Sequence, residues 1–207
     1  MKKELRLTLF TAVKVGSENY PESTAYAIFT RAPALFTSVW NVVSKFLPAR
    51  SVKKVRFINH ADTPYTLMKY IQPDAIVALQ RLTWGGDGDQ IADDVESSSA
   101  KSFERTIQVP ARSSEFVFVA LQNGQKLSFR LFEGDTDLTG FAEVLYVDAA
   151  HHESVSPEEV DVRTETPNAK GYAACPPEAK NCLVVITCDN TGSWFSAKAL
   201  RVDVQIA

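Results

Sequence analysis

The sequence carries few of the features that announce chemistry. Its three cysteines, Cys175, Cys182 and Cys188, stand in no C-x-x-C spacing and beside no paired histidines, so neither a zinc site nor a disulfide framework is indicated. A single bridge, Cys182 to Cys188 or Cys175 to Cys182, stays open beside the expectation of reduced, buried thiols in a cytosolic chain. The three histidines, His60, His151 and His152, have no serine or cysteine partner at motif spacing, and G-x-S-x-G is absent. No N-x-[ST] acceptor occurs. Long hydrophobic runs are missing too: the longest stretch without a charge, Ala32 to Ser44, has 13 residues, whereas a membrane-spanning helix takes about 20. These absences lead us to expect a soluble protein that is not an enzyme.

Neither sign of charge dominates. With 25 acidic and 22 basic residues the formal charge is -3, which argues against a freestanding, high-affinity nucleic-acid binder, because such binding rests on neutralising phosphates. The composition, 45% apolar and 23% charged, is that of an ordinary globular protein. A chain of this length buries roughly 70% of its unfolded surface and needs no staple. The start, "MKKELRLTLF", has the positive charge of a signal peptide, but Glu4 and Arg6 interrupt the apolar run that should follow. It reads as a strand of the mature chain.

What is present is mostly alternation. Between Glu4 and Val15, Leu5, Leu7, Leu9, Val13 and Val15 share one face. After the turn signal "GSENYPES", a second strand is expected in "TAYAIFTRA". Pro33 then opens a short helix in which Leu35, Val39, Val42, Val43, Phe46 and Leu47 form an apolar side expected to lie on something apolar, and Pro48 stops it. From Lys53 to Ile58 the period returns to two. Further strands are expected in "YTLMKYI", "AIVALQRLTW", "FERTIQV", "EFVFVAL", "KLSFRLF", "FAEVLYV", "CLVVITC" and "ALRVDVQI". "EFVFVAL" and "LVVITC" are apolar throughout, as strands buried on both faces are. "QNGQ" signals a tight hairpin, since Asn-Gly accepts positive backbone angles.

This pattern predicts an all-β fold, an antiparallel β-sandwich or jelly roll of about 8-10 strands with one short amphipathic helix. Residues 1-150 would form the jelly-roll core. Residues 151-207 would add a long loop with closing strands, or a surface projection, to the same domain.

Candidate sites are sparse. Asp135, Asp137, Thr139 and Gly140 match the first half of a calcium loop, but the twelfth position is Tyr146 and not the bidentate glutamate. Asp135 and Asp137 are therefore carried as candidate calcium ligands at subunit contacts, beside the alternative of a solvated acidic turn; no other cofactor is expected. In "AAHHES" neighbouring side chains point to opposite faces of a strand and chelate poorly. "WGGDGDQ" lacks the lysine and spacing that cradle phosphate. Arg50, Lys53, Lys54 and Arg56, joined by Lys2, Lys3 and Arg6, are the densest positive charge. They read either as a solvated face or as a phosphate-facing surface.

The order strand, strand, "PALFTSVWNVVSKFLPARSVKKVRFINHADTPYT", strand resembles the single jelly-roll coat proteins of small icosahedral positive-strand RNA viruses, and "FERTIQVPARSSEFVFVALQNG" and "LTGFAEVLYVDAA" extend the likeness. That resemblance implies a capsid protein that self-assembles with identical subunits into a closed shell, meets viral nucleic acid through the basic residues named above, and resides in the virion after synthesis in the host cytoplasm. Many such coat proteins begin with a long basic arm, whereas here a strand is expected from residue 4.

A second reading is a membrane-binding, pore-forming β-sandwich toxin resembling actinoporins or aegerolysins, with residues 34 to 47 and the aromatics Trp40, Trp84, Trp194 and Phe195 at the lipid. A third is a carbohydrate-binding sandwich using the same tryptophans.

Overall fold

A computed structural model describes residues 25-84, 102-138, 140-148, 157, 159-167 and 171-207. The strand expected over Glu4 to Val15, the "AAHHES" segment and residues 85-101 lie outside them. By its contacts the chain divides into two compact units, Met1–Thr63 and Pro64–Ala207.

In the first unit, β1 (Ala27–Thr30) and β2 (Val55–Ile58) pair in parallel, with Phe29 opposite Phe57. Parallel neighbours cannot be joined by a tight turn and need a crossover. The sequence supplies one. Pro33 stands just ahead of α1 (Ala34–Val43), and its carbonyl accepts the amides of Phe36 at 2.8 Å and Thr37 at 3.3 Å. A 3-10 turn (Ser44–Phe46) follows, and Pro48 starts α2 (Ala49–Lys53) in the same manner, accepting from Ser51 and Val52. The change of period between residues 35 and 58 is thus a strand-helix-strand crossover. The basic residues Arg50 and Lys53, expected on a strand, lie on its second helix.

The second unit opens with two helices, α3 (Thr63–Tyr70), whose first residue closes the first unit, and α4 (Pro73–Trp84). Both were expected to be strands, in "YTLMKYI" and "AIVALQRLTW". The helical outcome has visible causes: Pro73 fits the first helical position, Asp74 places a carboxylate in the first turn, and Ile76 and Gln80 are buried one turn apart. The expectation of a single short helix is therefore corrected to four α-helices among the described residues.

Antiparallel sheets make up the rest, so the chain is mostly β, as expected. These strands are β3 (Ser102–Val109), β4 (Ser114–Gln122), β5 (Lys126–Glu133), β6 (Thr136–Leu138), β7 (Phe141–Asp148), β8 (Val162–Glu165), β9 (Tyr172–Ala174), β10 (Ala179–Asp189) and β11 (Lys198–Ile206). One sheet runs β4-β10-β7-β8. The other runs β3-β11-β5-β6, with β9 also on β5. β10 and β11 each lie inside a sheet, flanked on both sides. The "QNGQ" turn is present, with Gly124 at a φ of 82° and the Gln125 amide donating to the Gln122 carbonyl at 3.0 Å. It does not make a hairpin, because β4 and β5 belong to different sheets.

Between the sheets lies one apolar cluster, including Val117, Val119 and Leu121 of β4, Phe129 and Leu131 of β5, Val184 and Ile186 of β10, and Val202 and Val204 of β11. A second cluster occupies the other face of the β4-β10-β7 sheet. There Phe116, Phe118, Leu145, Leu183 and Val185 pack with Met68 of α3 and Ile76 of α4. This is why "EFVFVAL" and "LVVITC" show no alternation: both faces are covered. β5 and β11 bury one face only, and they alternate.

Cys175, Cys182 and Cys188 are free thiols within the first cluster. Burial raises the Cys175 thiol, partly offset by its hydrogen bond with Cys182. Burial and the neighbouring Cys175 push Cys182 far up, and burial with Glu115 nearby pushes Cys188 up to about 12. None is a thiolate near neutral pH, so none is poised as a nucleophile.

Candidate functional site

The feature that ordinary packing leaves unexplained is α1. Its Phe36 and Trp40 turn toward the β1-β2 ribbon and build an aromatic cluster, with ring centroids of Phe29 and Phe36 5.4 Å apart, Phe29 and Phe57 5.4 Å, Phe36 and Phe57 5.8 Å, and Trp40 and Phe57 5.8 Å. Such tilted and offset pairs at 4.5-7 Å add to apolar burial. Of the residues predicted from spacing to face the interior, those whose side chains are described do the opposite. Leu35 is 77% exposed, Val42 59% and Val39 52%, and Val43 and Leu47 are exposed with them.

α1 is therefore apolar on both sides. A helix of that kind is expected in a core or against lipid, not in water. Leu35, Val39, Val42 and Val43 recur at helical spacing, so they form one continuous strip. Contiguous apolar surface of this sort marks an interaction face, whereas scattered single residues do not.

The predicted basic residues of the first unit lie on and after the second helix of the crossover. Arg50 and Lys53 are exposed on α2, Lys54 follows its end, and Arg56 of β2 is half-buried with its guanidinium 5.2 Å from the centre of the Tyr26 ring. Arg31, held at a φ of 56°, donates from Nε to Nδ1 of His60 at 3.3 Å. Lys2, Lys3 and Arg6 lie outside the described residues.

The calcium candidates fare differently. Asp135 is exposed in the turn that leads into β6, and the segment from Thr136 to Leu138 is a strand paired with β5, which a coordinating loop would not be. The Asp137 side chain lies outside the described part. No group of three or more potential metal ligands occurs among the described residues, and none of their helices is long and apolar enough to cross a membrane. Of the predicted aromatic anchors, Trp40 is half-buried in the cluster above, while Trp194 and Phe195 stand exposed in the second unit. The Trp84 side chain is not described.

Comparison with known proteins gives this geometry a context. Residues 3–86 match the model of the CRAL/TRIO domain. Within Arabidopsis thaliana, the chain is similar to Patellin-5, 33% identical over 75 residues that make up 36% of this chain and 11% of that protein. Similar too are Patellin-3, 33% identical over 75 residues and 15% of its length, and Patellin-6, 32% identical over 75 residues and 18% of its length. The chain thus spans less than a fifth of each of these relatives. Among solved structures, the periplasmic inhibitor of g-type lysozyme PliG from Aeromonas hydrophila aligns with 54% of this chain and 90% of its own at 10% identity and a TM-score of 0.32, too distant a likeness to define a fold.

These matches overturn the coat-protein reading. The stretch that carried it, residues 33 to 66, falls inside the CRAL/TRIO match, and its helix is the crossover of a parallel strand pair. Closed-shell assembly, viral nucleic acid as partner and residence in a virion fall with it, since the similar proteins are plant proteins and not viral ones. The pore-forming toxin reading is set aside on the same finding.

Proposed function

We propose that this chain is a lipid-handling protein whose first unit takes a lipophilic ligand along α1. The observation that carries the reading is the strip of Leu35, Val39, Val42 and Val43, exposed on a helix whose Trp40 and Phe36 are engaged in ring contacts with Phe57. It lies within the CRAL/TRIO match, and CRAL/TRIO proteins bind lipophilic ligands. An alkyl chain laid on such a strip gains about 0.8 kcal/mol for each buried methylene. The role is binding without catalysis.

The test is ligand content. Protein purified from cells and extracted with organic solvent should release lipid, and Leu35→Asp/Val39→Asp should release several-fold less while the second unit keeps its melting transition. Equal lipid content in both proteins would reject the assignment to α1.

For the second unit we propose a jelly roll built from β3, β4, β5, β7, β8, β9, β10 and β11. A jelly roll is one long hairpin rolled up, so its first strand pairs with its eighth, its second with its seventh, its third with its sixth and its fourth with its fifth. The pairs β3-β11, β4-β10, β5-β9 and β7-β8 support this plan. β6 lies outside it. Replacing residues 135-138 by a short flexible turn should therefore leave a cooperative β transition in circular dichroism; its loss would count against the plan.

A further inference from the structure

The second unit carries an exposed aromatic pair that the lipid-binding strip does not explain. Trp194 is 67% exposed and Phe195 97%, side by side in the turn between β10 and β11. Exposed apolar residues scattered singly are ordinary. Two adjacent large rings projected into solvent by a braced turn are not.

The bracing begins at Asn190, which is buried. Its side-chain amide donates to the carbonyls of Val109 at 3.0 Å, Pro110 at 3.1 Å and Ser196 at 3.0 Å, tying the turn to the end of β3. From the preceding connection, the Arg112 amide donates to the carbonyls of Asn190 at 3.2 Å and Ser193 at 3.0 Å. Arg112 adopts a φ of 58°, a left-handed backbone unusual for its type. The Ser193 hydroxyl donates to the Ser196 carbonyl at 2.9 Å, so both ends of the aromatic pair are held. The carboxylate of Asp189, at the end of β10, accepts from the Thr191 amide at 2.9 Å and hydroxyl at 3.0 Å. The Arg112 guanidinium lies 3.4 Å from the centre of the Trp194 ring.

From this arrangement we propose that the turn 190-196 is a peripheral membrane anchor, which seats Trp194 and Phe195 at the interface of an anionic bilayer with Arg112 at the headgroups. Three observations select a bilayer. The pair is exposed at a turn between two strands, Phe195 almost wholly, so it suits a deformable surface that closes around it. Trp with a cation stacked on it is amphipathic in the manner that interfaces favour, ring toward the acyl boundary and charge toward the phosphates. The bracing removes the ordering cost that a floppy loop would meet on insertion. The anchor is shallow and spans nothing. It goes beyond the ligand strip of the first unit and does not depend on it.

The experiment uses the whole chain and phosphatidylcholine vesicles with and without phosphatidylserine. Because the three native thiols are buried, a thiol-reactive, polarity-sensitive dye can be placed in the turn alone through Gly192→Cys, where an added side chain meets nothing within 4 Å. The dye should shift to the blue on anionic vesicles. Adding Trp194→Ser/Phe195→Ser should lower vesicle flotation about tenfold and abolish the shift. Arg112→Glu should remove the preference for phosphatidylserine, and Arg112→Lys should largely keep it. The exposed aromatic pair makes its replacement compatible with folding, checked by an unchanged melting transition.

Unchanged flotation together with a silent dye would overturn the proposal. So would a dye shift that follows protein concentration without vesicles, which would assign the pair to contact between copies. Lipid content after extraction reads the first unit separately, so either assignment can fail alone.

Discussion

Gln80 of α4 grips β4 through both ends of its amide: Nε2 donates to the Phe116 carbonyl at 2.6 Å, and the Phe118 amide donates to Oε1 at 2.9 Å. β4 is the outer strand of its sheet, paired to β10 on one side. Gln80 thus supplies, from a helix, the donor and acceptor that a neighbouring strand would have offered. Open strand edges invite pairing with other chains, and this one is closed at its centre.

Removing the grip should be costly. Gln80→Ala leaves two buried backbone groups unsatisfied and should destabilise the second unit by about 2-4 kcal/mol, read from urea unfolding. Gln80→Glu keeps the shape and loses the donor, and should fall between wild type and alanine. Light scattering should also show Gln80→Ala associating more readily than wild type.

Ile76, one turn before Gln80 and fully buried against the β4-β10-β7 sheet, tests how α4 is held by apolar contact. Ile76→Ala should cost about 2-5 kcal/mol in the same measurement. A loss below 1 kcal/mol would mean that the helix docks through Gln80 alone.

Much of the sandwich was legible in sequence, and the failures have physical reasons. β11 and β5 alternate because one face is buried, so "ALRVDVQI" and "KLSFRLF" read correctly. In α4 the sequence misleads because "AIVAL" is a short apolar run, which periodicity alone cannot separate from a buried strand. Pro73 and Asp74, a helix-start signal, were the evidence against it. In α1 the helix was legible but its orientation was not. Spacing points to the Leu35-Val39-Val42-Val43 strip as the core face, whereas the ring contacts on β1 and β2 are made by Phe36 and Trp40. The coat-protein likeness rests on a loose strand-helix-strand order over residues 33 to 66, which the crossover of a parallel strand pair produces equally well, and a fold does not fix a function.

Gly171 offers a backbone test. It sits at a φ of 70°, a Cβ there would lie 2.6 Å from the Phe129 carbonyl oxygen, and its own carbonyl accepts the Phe129 amide at 2.8 Å. Gly171→Ala should cost about 1-3 kcal/mol, and hydrogen exchange should show the amides of β9 losing protection first.

Stability should decline in alkali. Burial raises the Tyr146 hydroxyl, helped by its hydrogen bond to Glu178, and raises the three thiols, Cys188 to about 12 from an ordinary 9.0. A group raised in the folded state favours folding fully below its unfolded value, and that contribution is lost as pH climbs toward the folded one. The melting temperature should therefore hold to about pH 9 and fall progressively above it. Cys188→Ala should blunt the fall. A melting temperature flat to pH 11 would contradict the burial of these groups.

The interior positions of β10 and β11 also set a timetable for folding. β3 finds its partner at residues 198 to 205 and β4 at residues 181 to 189, so these two strands wait for β10 and β11, whereas β5 can pair with β6 and β9, and β7 with β8, before then. Until β10 and β11 are made the apolar residues of β3 and β4 have no strand to pair beside. Non-local pairing of this kind makes for slow closure, and a chaperone that shelters strands during synthesis should matter more to this molecule than to one built from neighbouring hairpins.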